Sequence, residues 1–167
     1  MWNEQIIMML LEGIKDTLYM TLTSTLIGYV IGLPMGILLT VTDKDGIHPN
    51  AAVYKVLDVI ANLIRSVPFL ILLIVLIPFT RFLIGRSYGP TATIVPLVIA
   101  AAPYIARMVE SSLKEVDAGV IEAARSMGAS NFTIVTKVML VEARTSLIVG
   151  ATISLGTQRR SISLEPL

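Results

Sequence analysis

Only a few residues in this chain have side chains that could do chemistry. The 167-residue sequence holds no cysteine and a single histidine, His48, so it offers no thiolate nucleophile, disulfide or cysteine-ligated metal. His48 lies between Gly46 and Pro49, in a segment typical of a solvated loop. No stretch matches the phosphate-binding pattern G-x-x-x-x-G-K-S/T. We therefore predict a protein that is not an enzyme, without catalytic residues, metal or cofactor, and without its own ATPase site.

The composition indicates an integral membrane protein. Hydrophobic residues make up 54% of the chain and charged residues only 15%, a balance that soluble domains rarely show. The net charge is +1, and a nucleic-acid partner would require clustered Lys and Arg. Membrane lipid is thus the expected surrounding, and nucleic acid is not an expected partner.

Three apolar stretches are long enough to cross a bilayer as helices. Residues 17–42 and 87–106 carry no charge, and residues 59–80 carry only Arg65, which we place near one end where its side chain would reach the headgroups. A fourth uncharged stretch, 145–158, is too short for a full span. The fold class predicted is an all-α, polytopic transmembrane helix bundle with three spans and a partial fourth.

The distribution of positive charge predicts the orientation. Lys and Arg are retained on the cytoplasmic side of a membrane, and they concentrate in the intervals 43–65 and 107–144. These intervals hold Lys44, Lys55, Arg65, Arg107, Lys114, Arg125, Lys137 and Arg144, whereas the opposite side has Lys15, Arg81 and Arg86 before the C-terminal tail. We expect an external N-terminus and a long cytoplasmic segment after the third span.

The N-terminal residues before the first span also have a helical pattern. We do not expect a cleaved signal peptide there, since three acidic residues precede a stretch that is too long for one. The apolar residues suit an amphipathic helix lying on the outer interface. Those residues are Ile6, Ile7, Leu10 and Ile14.

Glycine and proline recur within the predicted spans and at their edges. Gly28, Gly32 and Gly36 recur every four residues, so they form one bare stripe on a helix and predict close packing against another backbone. Prolines inside or at the edges of the spans favour bends, although lipid-embedded helices also tolerate them without function. The prolines are Pro34, Pro68, Pro78, Pro96 and Pro103.

The source of energy is predicted from what the spans lack. No carboxylate, histidine or lysine lies near the middle of any predicted span, and ion-coupled carriers usually need such a group. A partner that hydrolyses ATP is therefore the expected source of energy.

The segment after the third span is the most informative. Asp117 can cap a helix in which Val120, Ala123, Ala124 and Met127 form an apolar ridge. A glycine at 128 can end that helix in the left-handed conformation, and Ser130 or Asn131 can cap the next one. The pattern predicts a short cytoplasmic helix-turn-helix, and an ordinary amphipathic surface helix is the alternative.

This segment also carries a resemblance to a known family. Glu122-Ala123-Ala124, followed by Gly128, resembles the EAA loop of bacterial ABC importer permeases. The pattern continues up to Leu140, but Val141 stands where the family has proline. Residues 65–69, 77–81 and 101–107 are similar to the methionine-uptake permeases in particular, and the resemblance covers about residues 5–156.

The resemblance implies a role in a larger assembly. Two permease chains would form the pathway for methionine through the bacterial cytoplasmic membrane. Two cytoplasmic ATPase subunits would use the ATP, and an extracytoplasmic binding protein would deliver the substrate. Glu122, Ala123, Ala124 and Gly128 would form the element that couples to the ATPase. Substrate-binding residues cannot be assigned from the resemblance.

The C-terminal part departs from the family. Such permeases carry two spans after the EAA loop, and this chain has room for less than one. We expect residues 1–156 to be an incomplete permease domain and 157–167 an atypical polar tail, as truncation or a frameshift would produce. Two alternatives to an importer permease stay open: a non-transporting membrane remnant, and a small ion-coupled secondary carrier.

Overall fold

A computed structural model describes residues 4–150 and 152 of the chain. Every regular element in this part is helical, and the predicted all-α fold class is confirmed. The elements are α1 (Glu4–Thr42), α2 (Ala51–Ser66), α3 (Phe69–Val75), α4 (Ile77–Ile84), α5 (Pro90–Lys114), α6 (Ala118–Ser126), α7 (Asn131–Thr133), a π-helical stretch (Ile134–Met139) and α8 (Leu140–Glu142), after which residues 144–150 are helical again.

The glycine stripe of α1 lies directly against α5. A Cβ atom added at Gly32 would lie 2.7 Å from the carbonyl oxygen of Ala102, and one added at Gly36 would lie 2.5 Å from that of Ala106. These distances leave no room for a side chain, so the two backbones approach closely, as small residues allow in membrane helices. Gly32 of α1 lies against Ala102 of α5, and the later Gly36 lies against the later Ala106. The two helices therefore run in the same direction.

The second predicted span is not one straight helix. The structure ends α2 at Ser66, begins α3 at Phe69 after Pro68, and sets the two helices at 105° to each other. Residues 4–150 and 152 thus contain two helices long and apolar enough to cross a membrane, or three if this bent pair counts as one span. The bend at Pro68 is one that the prolines predicted, since the residue before proline is kept out of the helical conformation.

Prolines act differently along the chain. The long helices continue through Pro34, Pro96 and Pro103, whereas Pro68 and Pro78 stand where short helices begin. Proline fits the first turn of a helix, where its missing N–H is not needed. Position within the helix therefore decides which prolines bend this chain.

The N-terminal residues do not form a separate interfacial helix. They continue α1 without a break from Glu4, and this overturns the amphipathic helix predicted for them. At about 1.5 Å per residue, α1 is longer than the hydrocarbon core is thick. The polar tail, 157–167, and half of the partial fourth span, 145–158, lie outside the described residues.

One hydrophobic core holds the polar end of the bundle together. It joins α5 to α6 and to the helical segment that follows α6, and it includes a buried alanine of the EAA sequence. Its members are Ile105, Val109, Leu113, Ala124, Ile134, Val135, Met139 and Ala143.

Candidate coupling site

The helix that carries the EAA sequence is built by three local signals. Asp117 accepts a hydrogen bond from the backbone N–H of Gly119 at 2.7 Å and so caps the start of α6. Gly128 follows the helix with φ of +80°, a conformation that side chains rarely adopt. Ser130 then caps the next helix by accepting from the N–H of Thr133 at 3.3 Å. The predicted helix-turn-helix is confirmed.

One side of α6 packs against the chain's own core. Ala124 is 5% exposed, and the cluster around it includes Leu113 of α5 and Met139 of the following segment. Ile121, one turn before, is half-buried against the same cluster. These contacts join α6 to α5 and to the segment that follows α6.

The face of α6 next to the buried one presents an apolar surface that no other described residue covers. Val120 is 42% exposed and Met127 is 81% exposed, and Ala123 between them is exposed as well. We call these three residues the exposed ridge. Phe132, at the start of the next helix, is 78% exposed. Large apolar side chains displayed together at the polar end of a protein are typical of a docking surface.

The charged residues of α6 face a cavity rather than the ridge. The cavity has a volume of about 470 Å³ and lies between α6, the end of α5 and the loop at 43–50. Glu122 lines it while remaining exposed. Arg125 also lines it and donates from Nη2 to the carbonyl oxygen of Ile47 at 3.3 Å. Arg125 therefore ties α6 to the loop that follows α1.

Below the cavity, five charged side chains of alternating sign form a connected series, which we call the charge ladder. Arg107 contacts Asp58 of α2, and its Nη1 lies 2.7 Å from Oε2 of Glu110. Oε1 of Glu110 lies 2.8 Å from Nζ of Lys114, which in turn lies 2.7 Å from Oδ2 of Asp43. The ladder links α2, α5 and the end of α1.

The centre of the ladder is buried and its ends are more open. The side chain of Glu110 is 6% exposed, against 31% for Asp58 and 17% for Asp43 at the two ends. A buried carboxylate is stable only when its charge is paired and hydrogen-bonded, and Glu110 has two cations and the hydroxyl of Tyr54 at 3.4 Å. Outside the spans, the hydrogen bond from Lys114 lowers the pKa of Asp43, so this carboxylate stays charged at neutral pH.

Sequence reasoning found only part of this site. The Glu110 and Lys114 pair is visible as a four-residue spacing on a helix. Asp43, Tyr54 and Asp58 were missed, because their partners lie on another helix and no local spacing indicates that. Within residues 4–150 and 152, no group of three histidine or carboxylate side chains is positioned to hold a metal ion.

Comparison with protein families gives one match that spans most of the chain. Residues 7–157 match the family described as "Binding-protein-dependent transport system inner membrane component". The D-methionine transport system permease protein MetI of Salmonella typhimurium is 50% identical over 155 residues, which are 93% of this chain and 71% of that protein. Its namesake from Escherichia coli K12 is also 50% identical with the same coverage.

Solved structures are similar over almost the whole chain. A chain of the MetNI methionine ABC transporter in an inward-facing conformation superimposes with a TM-score of 0.93 at 48% identity, covering 96% of this chain and 74% of the other. An amino acid ABC transporter superimposes with a TM-score of 0.61 at 22% identity, with coverage of 97% and 75%. The second likeness shows the shared fold alone.

Proposed function

Because the chain belongs to the family of binding-protein-dependent transport system inner membrane components, we propose that it is the permease subunit of an ATP-driven methionine importer. The relatives with about half of their residues in common are permease proteins for D-methionine. The chain is a transport subunit and not an enzyme, and ATP is used by a separate partner. It is a multi-pass protein of the bacterial cytoplasmic membrane.

The observation that carries the coupling role is the exposed ridge on α6. The strip ends at Gly128, and Ala124 beside it is buried and holds α6 in place. Such an apolar strip suits insertion into a groove of an ATPase subunit. Ala123 lies on the ridge and would contact the groove directly. Glu122 is exposed beside the cavity and would meet a basic residue at the groove's edge. Ala123 and Glu122 would thus contact the ATPase, Ala124 would anchor α6 to the core, and Gly128 would set the turn.

The geometry supports the predicted orientation. Helices α1 and α5 are parallel, and Asp43 just after α1 pairs with Lys114 at the end of α5. The N-terminus of α1 and the coupling helix α6 are therefore at opposite ends of the bundle. With α6 in the cytosol, the N-terminus is outside, where an extracytoplasmic binding protein would deliver methionine.

The mechanism follows from how rigidly α6 is joined to the bundle. A second copy of the chain would complete the pathway, and each copy would hold one ATPase subunit on its ridge. When ATP binding closes the ATPase pair, the two α6 helices would move with it. The core around Ala124 and the charge ladder would pass that movement to α5, α1 and α2, so the bundle would rock between two states.

Co-purification with the ATPase subunit tests the proposal. We expect Met127→Glu to reduce the recovered ATPase by about tenfold or more, since a charge would be buried in an apolar groove. Met9→Glu is the matched control, because Met9 is also exposed, at 72%, but lies near the start of α1, at the end of the bundle far from α6. Equal recovery with both variants would contradict docking through the ridge.

The two alternatives give different results. If the unaltered chain recovered no ATPase, the non-transporting remnant would be the better description. If uptake into vesicles followed an ion gradient and ignored ATP, the secondary carrier would be. The importer predicts ATP-dependent uptake of methionine that requires the binding protein.

A further inference from the structure

Arg65 is a charged residue in an unexpected place. It is the sole charge between Asp58 and Arg81 in the sequence, and hydropathy alone puts it near the end of a span. The structure instead places it at the end of α2, three residues before Pro68 and the 105° bend. Its position relative to the membrane therefore has to be derived from the contacts of α2.

The contacts with α5 give the depth of Arg65. Helix α2 runs antiparallel to α5, because its earlier residue Tyr54 contacts Glu110 and its later residue Asn62 accepts from Nη2 of Arg107 at 3.2 Å. Arg65 lies almost one turn beyond Asn62. It is therefore level with about residues 103–104 of α5.

That level is close to the middle of the membrane. Ten residues of α5 separate it from Lys114, the last residue of that helix, which at 1.5 Å per residue is about 15 Å, or half of the roughly 30 Å core. The charges between them, on Arg107 and Glu110, are neutralised by the ladder's ion pairs. On α1, the neighbour of this part of α5 is Gly32, which lies near the centre of the uncharged residues 17–42. The estimates from α5 and from α1 thus give the same depth for Arg65.

At that depth, Arg65 has no visible means of neutralising its charge. The side chain is exposed on the single chain, and its guanidinium has no ion pair with any acidic group among the described residues. A charged group cannot face lipid at the bilayer centre without a large cost, so such residues face a water-filled cavity or a protein interior.

The neighbouring residues extend this polar surface. Asn62 and Ser66 are exposed and lie within one turn of Arg65. On the other side of α2, Ile60 is 44% exposed and apolar, as a lipid-facing or interface residue would be. The polar strip is therefore confined to one part of the helix, next to the bend.

We propose that Arg65 lines the translocation pathway formed with a second copy of the chain, and that its guanidinium binds the carboxylate of the amino acid in transit. A guanidinium presents two parallel N–H donors that match a carboxylate, and this match gives orientation as well as attraction. A pair of copies would supply one Arg65 from each side. The inference rests on the proposed function, since it takes an amino acid as the cargo.

Single cysteines test this directly, because the natural chain has none. The transporter, assembled with its ATPase and binding protein in proteoliposomes, would carry Ser66→Cys or Ile60→Cys and be treated with a membrane-impermeant thiol reagent. We expect Ser66→Cys to react at least tenfold faster than Ile60→Cys. Methionine should slow the reaction at Ser66→Cys severalfold, and methionine amide, which lacks the carboxylate, should not.

The role of Arg65 is tested by a second substitution. In Ser66→Cys combined with Arg65→Gln, protection by methionine should be lost, and Arg65→Lys should restore part of it. A Ser66→Cys as unreactive as Ile60→Cys would overturn the position in the pathway. Protection that survived Arg65→Gln, or that the amide also gave, would overturn carboxylate binding.

The outcome for Arg65 is separable from that for the proposed function. ATP-dependent methionine uptake by the unaltered chain, together with either contrary result above, would reject only the pathway residue. Loss of uptake and of ATPase recovery with the unaltered chain would reject the importer itself. Recovery of the ATPase with each cysteine variant shows that the variant has folded and assembled.

Discussion

The seam between α1 and α5 and the polar end of the bundle are held together in opposite ways. In the seam, glycines bring two uncharged helices into backbone contact, and a Cβ at Gly36 would lie 2.5 Å from a carbonyl oxygen. At the polar end, five long charged side chains bridge three elements, and α6 keeps an apolar ridge exposed. The seam has no space for a larger side chain, whereas the polar end has an exposed surface on which a partner could bind.

The difference assigns separate tasks to the two regions. Close packing without polar groups makes the seam a rigid unit, since small residues leave no alternative arrangement. Ion pairs with partly exposed ends can be exchanged, and an unpartnered ridge can be occupied. We infer that α1 and α5 move as one body while the polar end receives the force.

The largest effect is expected in the seam. Gly36→Leu would force a side chain against Ala106 and Val109, and overpacking against backbone costs about 3 kcal/mol or more. We expect almost no monodisperse protein, measured by size-exclusion chromatography after extraction in detergent. Gly13→Leu is the matched control, because nothing lies within 4 Å of its Cβ position. A folded, monodisperse Gly36→Leu protein would contradict a closed seam.

A smaller effect is expected at the centre of the charge ladder. Glu110→Gln keeps the shape but leaves two cations with one carboxylate each, and loss of charged hydrogen bonds costs about 2 kcal/mol. We expect a lower thermal unfolding temperature for the purified protein. Glu115→Gln, an exposed position near the end of the same helix, serves as the control. If both variants had the same thermal unfolding temperature, the ladder would not stabilise the bundle.

The smallest effect on stability is expected at the turn after α6. Gly128→Val places a branched side chain at φ of +80°, at a cost of roughly 1–2 kcal/mol. The protein should remain folded, but the angle of α6 would change and ATPase recovery should fall severalfold. Gly128→Asn, which tolerates this conformation better, should keep most of the recovery. Equal recovery from both variants would show that the turn does not position the ridge.

Local signals in the sequence predicted the parts of the fold that depend on neighbours along the chain. The glycine stripe, the caps at Asp117 and Ser130, and the left-handed Gly128 all follow from spacing and residue type. The helical class of the fold follows from the lengths of the apolar stretches. These features needed no knowledge of which helices meet.

The remainder depends on contacts between distant residues. Nothing local indicates that Asp58 meets Arg107, or that α2 and α3 lie at 105° to each other. Periodicity also grouped Ala124 with Val120 and Met127 as one ridge, whereas the structure turns Ala124 towards the core and leaves the others exposed. An apolar position alone does not tell whether it packs within the chain or against a partner.

The most direct test of the central claim, that the polar end of the chain receives a cytoplasmic ATPase on α6, uses Ala123→Cys as the only thiol in the chain. We predict that an impermeant thiol reagent modifies it in inside-out vesicles and not in right-side-out vesicles. Addition of the ATPase subunit should then slow that modification at least tenfold. Modification from the external side, or a rate that the ATPase leaves unchanged, would contradict the coupling role of this helix.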